Sequence, residues 1–90
     1  MSNNKKYTNL YKALIKLDNE NICDLFLEDL CTYKELDAME QRLVAANMLL
    51  EGKTFNEVIE ATKISSATLS RISRCIKYGN GGYKKILKDK

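Results

Sequence analysis

Thr54-Phe-Asn-Glu-Val-Ile-Glu-Ala-Thr-Lys-Ile-Ser-Ser-Ala-Thr-Leu-Ser-Arg-Ile-Ser-Arg74 is the stretch that decides the reading of this chain. Thr54 and Glu57 form a T-x-x-E capping box, which opens a helix by satisfying two orphan backbone donors at once. Phe55, Val58 and Ile59 give that helix an apolar side, and it is expected to run to about Ala61. Ser65 is the next good N-cap. Thr62 to Ile64 is therefore a turn, and a second helix is expected from Ser66 to about Tyr78. Two short helices at this spacing read as a helix-turn-helix.

The second helix has two unlike faces. At 100° per residue, Leu69, Ile72 and Ile76 fall on one side and should pack inward. The other side collects Ala67, Ser70, Arg71 and Arg74, flanked by Ser66 and Lys77, with no acidic residue. Arg can donate two hydrogen bonds to guanine, Ser can bond base edges or phosphate, and a small Ala can touch a thymine methyl. Ser65, Ser66 and the helix N-terminus can hold a phosphate through backbone N–H groups. The expected DNA-contacting set is Thr54, Ser65, Ser66, Ala67, Thr68, Ser70, Arg71, Arg74 and Lys77. A plain solvated face of an amphipathic helix is the competing reading. The absent acids and the capped partner helix weigh against it. Lys63 stands where such turns most often carry glycine, at a cost of about 1 kcal/mol if it is left-handed. Ile59 stands where alanine is common, which would set the two helices slightly further apart.

Charge supports the same half of the chain. Residues 1–51 hold six Lys/Arg and nine Asp/Glu, a balance of −3. Residues 52–90 hold nine and three, a balance of +6, which points to a polyanion partner. Ninety residues make one small domain with a thin core, so dimerisation would help it materially. Cys23, Cys31 and Cys75 are odd in number, and there is no histidine. Neither a disulfide framework nor the usual zinc site fits, so they are read as small buried hydrophobes in a reducing cytosol. No signal-peptide core or membrane-length apolar run is visible.

The remaining segments read as helices too. Tyr7, Leu10, Tyr11 and Leu14 repeat at helical spacing, predicting a first helix over about Lys6 to Leu17. Asp18 to Asn21 breaks the pattern and caps a second helix, with Ile22, Leu25, Phe26 and Leu30 on one face. Thr32 and Glu35 form another capping box, opening the longest helix. Its expected stripe is Leu36, Met39, Leu43, Ala46 and Leu50, widened by Val44 and Met48, and Gly52 stops it. Gly79-Asn-Gly-Gly82 is a flexible break, after which Tyr83, Ile86 and Leu87 can add a short last helix. The first few residues and the Lys-rich tail are the segments expected to lack order. The expected fold is all-α with five to six helices. A single domain spans 1–90: a helical dimerisation core over 6–52, the helix-turn-helix over 54–78, and a flexible basic tail over 79–90.

Asp29-Leu-Cys-Thr-Tyr-Lys-Glu-Leu36, Gln41-Arg-Leu43, Leu49-Leu-Glu-Gly-Lys-Thr54, Ser66-Ala-Thr-Leu-Ser-Arg71 and Arg74-Cys-Ile-Lys-Tyr-Gly79 together resemble the Trp-repressor-related proteins of the YerC/YecD type. The resemblance runs from roughly Leu10 to Leu87. It implies a Trp-repressor-like fold, an intertwined homodimer with two helix-turn-helix units, and a bacterial transcription regulator. It also lets a ligand pocket be compared. Thr32, Arg42 and Arg71 match residues of the tryptophan pocket in Trp repressor and are the candidate effector residues. Ile72 replaces a glycine beside the indole, and Cys75 replaces a serine facing the ligand amine. An isoleucine there takes the space an indole needs, so tight tryptophan binding is not expected.

The expected function is sequence-specific recognition of double-stranded DNA by a homodimeric transcriptional regulator, a repressor, in the cytoplasm at the nucleoid. A rival is a protein-interaction module whose helix-turn-helix holds a transcription or replication partner. An enzyme has little support: there is no phosphate loop, metal cluster or Ser/His or Cys/His pair. Single-stranded RNA binding lacks its aromatic platforms. No cofactor, metal or membrane partner is expected.

Overall fold

The computed structural model describes residues 5–88, and every regular element among them is helical. The expectations for the first few residues and for the extreme Lys-rich end lie outside that range. A 3-10 turn at Lys5–Tyr7 leads into α1 (Thr8–Leu14). Then follow α2 (Glu20–Leu30), α3 (Tyr33–Leu50), α4 (Phe55–Thr62), α5 (Ser66–Tyr78) and a π-helical turn at Lys84–Lys88. No helix among the described residues is long and apolar enough to cross a membrane.

The chain divides into two compact units, residues 1–36 and 37–90. The division falls within α3.

In the first unit, local chemistry sets the helix ends. Asn19 accepts a hydrogen bond from the Ile22 amide at 2.9 Å and starts α2. Thr32 and Glu35 exchange bonds of 2.8 and 3.1 Å, which is the reciprocal capping expected for the start of α3. α1 is shorter than its periodicity suggested. It ends at Leu14, and Lys16 and Leu17 turn tightly onto the carbonyls of Ala13 and Leu14. Tyr7 and Tyr11 meet edge to face, with centroids 6.3 Å apart. No described residue of this unit is buried. Tyr11 is 49% exposed, Leu25 67% and Leu30 50%.

The second unit holds the core. Ala45, Ala46, Val58, Ile64, Leu69 and Ile72 are buried, with Met48, Leu49, Ile59, Ile76, Tyr83 and Leu87 packed around them. The α3 stripe is rotated from the expected one. Ala45 is fully buried, whereas Leu43 and Val44 are 44% and 40% exposed in the single chain. Two adjacent alanines are the α3 residues buried in the core cluster, so small residues rather than large ones mark its inner face. Phe55, expected inward, is likewise 40% exposed, because Val58 occupies the centre of α4's packing face. The cysteines also depart from expectation: Cys75 is exposed, and Cys23 and Cys31 are only half-buried. α3 ends where the chain adopts a φ of +93° at Gly52, a conformation that glycine accepts without steric cost.

Candidate nucleic-acid interface

The helix pair α4–α5 is built by side-chain to backbone bonds that the sequence carries locally. Thr54 Oγ1 accepts from the Glu57 amide at 3.1 Å, and the Thr54 amide donates to Glu57 Oε1 at 2.8 Å. The backbone bond from Thr54, then its hydroxyl, then the charge of Lys53 hold the Glu57 carboxyl below the ordinary value of 4.5. At the other end of α4, the Thr62 hydroxyl donates to the Val58 carbonyl at 2.8 Å and accepts from the Ile64 amide at 3.3 Å. Lys63 is left-handed, with φ of 62°. Its amide closes α4 on the Ile59 carbonyl at 2.8 Å. The buried Ile64 side chain secures the turn against the core. Gln41 of α3 adds an anchor that sequence reasoning did not single out: its Nε2 donates to the Thr62 carbonyl at 2.9 Å.

α5 begins at the expected cap. Ser65 Oγ accepts from the Thr68 amide at 3.1 Å and donates to Thr68 Oγ1 at 2.9 Å. The Ser65 cap takes the Thr68 donor, which leaves the Ser66 and Ala67 amides at the exposed tip. Ser65, Ser66, Ala67, Ser70, Arg71, Arg74 and Lys77 are all exposed, as is Thr54 at the start of α4. Thr68 differs from the rest of the expected set. It is only half exposed and its hydroxyl is engaged with Ser65.

A cleft of about 240 Å³ lies behind this face, lined by Arg42 of α3, by Thr68, Arg71, Ile72 and Cys75 of α5, and by Tyr83. Two of the three candidate effector residues, Arg42 and Arg71, thus line one cavity. Thr32 belongs to the other unit, where its hydroxyl caps α3. Ile72 is 3% exposed and stands in the wall, so its bulk is committed to the core. Neither guanidinium has an ion-pair or hydrogen-bond partner among the described residues. Tyr83 was expected only as part of a last helix. The signal that could have placed it is the preceding glycine-rich reversal, which turns the chain back after α5.

Comparison with known proteins agrees with this geometry. The uncharacterised protein YerC of Bacillus subtilis (strain 168) is 39% identical over 83 residues, covering 92% of this chain and 80% of YerC. The fold matches a TrpR-like protein of Eubacterium eligens ATCC 27750 with a TM-score of 0.88, at 34% identity, over 96% of this chain and 89% of that one. A candidate Trp repressor of Staphylococcus aureus matches with the same TM-score and identity, over 94% of this chain and 85% of that one. The family model described as Trp repressor protein matches residues 5–90. Its span and the capped α4–α5 pair lead to one conclusion: this chain belongs to the Trp repressor family.

Proposed function

We propose that the protein is a sequence-specific DNA-binding repressor of transcription that reads the major groove with α5. Membership of the Trp repressor family supports a helix-turn-helix regulator. The observation that carries the finer reading is the face of α5: Ser66, Ala67, Ser70, Arg71, Arg74 and Lys77 are exposed on a helix without a single acid. Arg and Ser there suit base edges, and the free amides at the tip suit a phosphate. Ser65 caps that tip and Thr54 caps the start of α4; both are exposed and are proposed phosphate contacts. Thr68 is proposed to act through the cap rather than by direct contact.

The working unit is proposed to be a homodimer acting at the nucleoid, with residues 6–52 as its pairing surface within a single domain. Apolar side chains on α1 and α2 are left uncovered in one chain, and a two-fold dimer presents two copies of α5 to half-sites about one DNA turn, ~34 Å, apart. No catalytic role is proposed.

Selection from a pool of random duplexes tests this reading. A two-fold symmetric motif should be enriched, and its affinity should fall steeply with salt. Absence of any enriched motif, together with salt-insensitive binding, overturns it and favours a protein partner for the same face.

A further inference from the structure

The segment after α5 is turned back by glycines. Gly79 caps α5, its amide donating to the Cys75 carbonyl at 2.9 Å, and a Cβ at this position would collide with that carbonyl oxygen. Gly81 has φ of +85°, and its carbonyl accepts from Lys85 at 3.0 Å to start the last turn. The reversal brings Tyr83 and Leu87 onto the core that α4 and α5 share. Tyr83 then lines two clefts: the one with Arg71, and a neighbouring one of about 210 Å³ with Met39, Arg42 and Leu43 of α3.

Helical spacing shows what this does to one side chain. Successive residues of α5 are turned by about 100° around its axis. Ser66, Ala67, Ser70 and Arg74 therefore share one side of the helix, and the cleft residues Thr68, Ile72 and Cys75 share another. Arg71 falls on the border between the two groups, flanked around the axis by Ala67 on the outer side and Cys75 on the inner. Its guanidinium can swing outward to DNA or inward to the cleft, and no acid or hydrogen-bond acceptor among the described residues holds it in either place. Tyr83 lines the inner cleft together with Arg71. Its hydroxyl has no hydrogen-bond partner among the described residues, so its contribution is the body of the ring.

We infer that Tyr83 is a positioning residue for DNA recognition: its ring walls and narrows the inner cleft beside Arg71 and biases that guanidinium outward to the reading face. The inference rests on the reading of α5 as the DNA-contacting helix. The ring is held at the cleft by the short glycine reversal and by its packing against the core. On this view recognition needs no added effector.

A double-mutant cycle in full-length protein, on the selected duplex and its single-base variants, is the test. Tyr83→Ala should weaken the selected site about tenfold and relax preference at the base pair that Arg71→Ala relaxes. In the Arg71→Ala background, Tyr83→Ala should add almost nothing. Tyr83→Phe should bind as the parent does. The salt slope of Tyr83→Ala should equal the parent's, since no phosphate contact is removed. Parent-like binding by Tyr83→Ala, equal loss on every sequence, or a loss additive with that of Arg71→Ala overturns the inference. If Tyr83→Ala does not fold, Tyr83→Leu serves, since it keeps apolar contact with the core and removes the flat ring. It should show the same loss, and parent-like binding by it overturns the inference. If the parent enriches no duplex, the DNA reading itself fails. The Arg71 side-chain NMR signal then decides on its own: it should sharpen to one environment in the parent and broaden in Tyr83→Ala, and an unchanged signal overturns the positioning role.

Discussion

Ile72 sits where the core and the α5 cleft meet, 3% exposed, and its side chain serves both. Ile72→Ala should cost about 2–5 kcal/mol, measured by urea unfolding, because the surrounding helices cannot collapse fully onto the lost methyls. Ile72→Gly opens the space further and adds about 1 kcal/mol of helix penalty. The parent should show no saturation with micromolar tryptophan by calorimetry, since Ile72 fills the space that the resemblance to Trp repressor would give to the indole. Saturation would mean that the isoleucine moves aside. Arg71 and Arg74 should contribute in different ways. Arg74 lies one turn further along α5, and on the proposed reading it meets the DNA backbone, so Arg74→Ala should weaken all duplexes alike and reduce the salt slope by ~1. Arg71→Ala should cost ~1–3 kcal/mol and relax preference at one base pair. Quantitative binding to single-base variants at several salt concentrations separates the two patterns.

Among the elements, α4 is only eight residues long and depends strongly on its ends. Thr54→Ala removes the side-chain half of the capping box and should lower stability by about 1 kcal/mol in thermal unfolding. The box also predicts a pH dependence. Glu57 has a folded-state pKa below its ordinary value of 4.5, because the charged form is the one hydrogen-bonded to Thr54. A depressed carboxylate pKa stabilises the fold above the unfolded value, and that contribution is lost as pH falls through the folded value. Glu57→Gln keeps a capping side chain without the titration. The parent's advantage over this variant should be constant above pH 4.5 and shrink on acidification. An advantage that stays constant at every acidic pH would show that the box is indifferent to the charge of Glu57. At the turn, Lys63 is held at φ of 62°. Replacement by glycine removes up to ~1 kcal/mol of strain but loosens the unfolded chain by a similar amount, so little net change is expected. Lys63→Asn should do better, raising stability by a few tenths of a kcal/mol, because asparagine tolerates the left-handed region without glycine's entropy.

For the whole molecule, the question is what covers the first unit. Among the described residues six buried side chains, two of them alanine, make a slender core. A fully buried large aliphatic residue contributes about 1.5–3 kcal/mol, and the described residues of the first unit include none. The melting temperature should therefore rise with protein concentration, as mass action requires when folding and pairing are linked. Leu25, 67% exposed in one chain, should matter far more than that exposure suggests. Leu25→Asp should give a monomer by light scattering, with a lower melting temperature and weaker binding to two-site duplexes. An unchanged dimer would place the pairing surface elsewhere.

Much of the fold was legible in the sequence because its decisive signals are local. A cap and its partner three residues on, a glycine at a helix stop and a 3.6-residue apolar spacing act within one or two turns. That is why Thr32, Thr54 and Ser65 open α3, α4 and α5 as read, and why Ser66–Tyr78 has the bounds expected of it. The exposed face of α5 followed from the same spacing. Tertiary structure alone decided three things. It chose Ala45 over Leu43 for the core, since which side of α3 is covered depends on where the residues of α4 and α5 come to lie. It left Cys75 exposed, since which side of α5 meets the core depends on where α3 lies. It brought Tyr83 back beside Arg71 and Arg42, residues 12 and 41 positions earlier in the chain. No pattern within a few residues encodes such a meeting; it comes from the direction in which Gly79 and Gly81 send the chain and from the apolar surface waiting there.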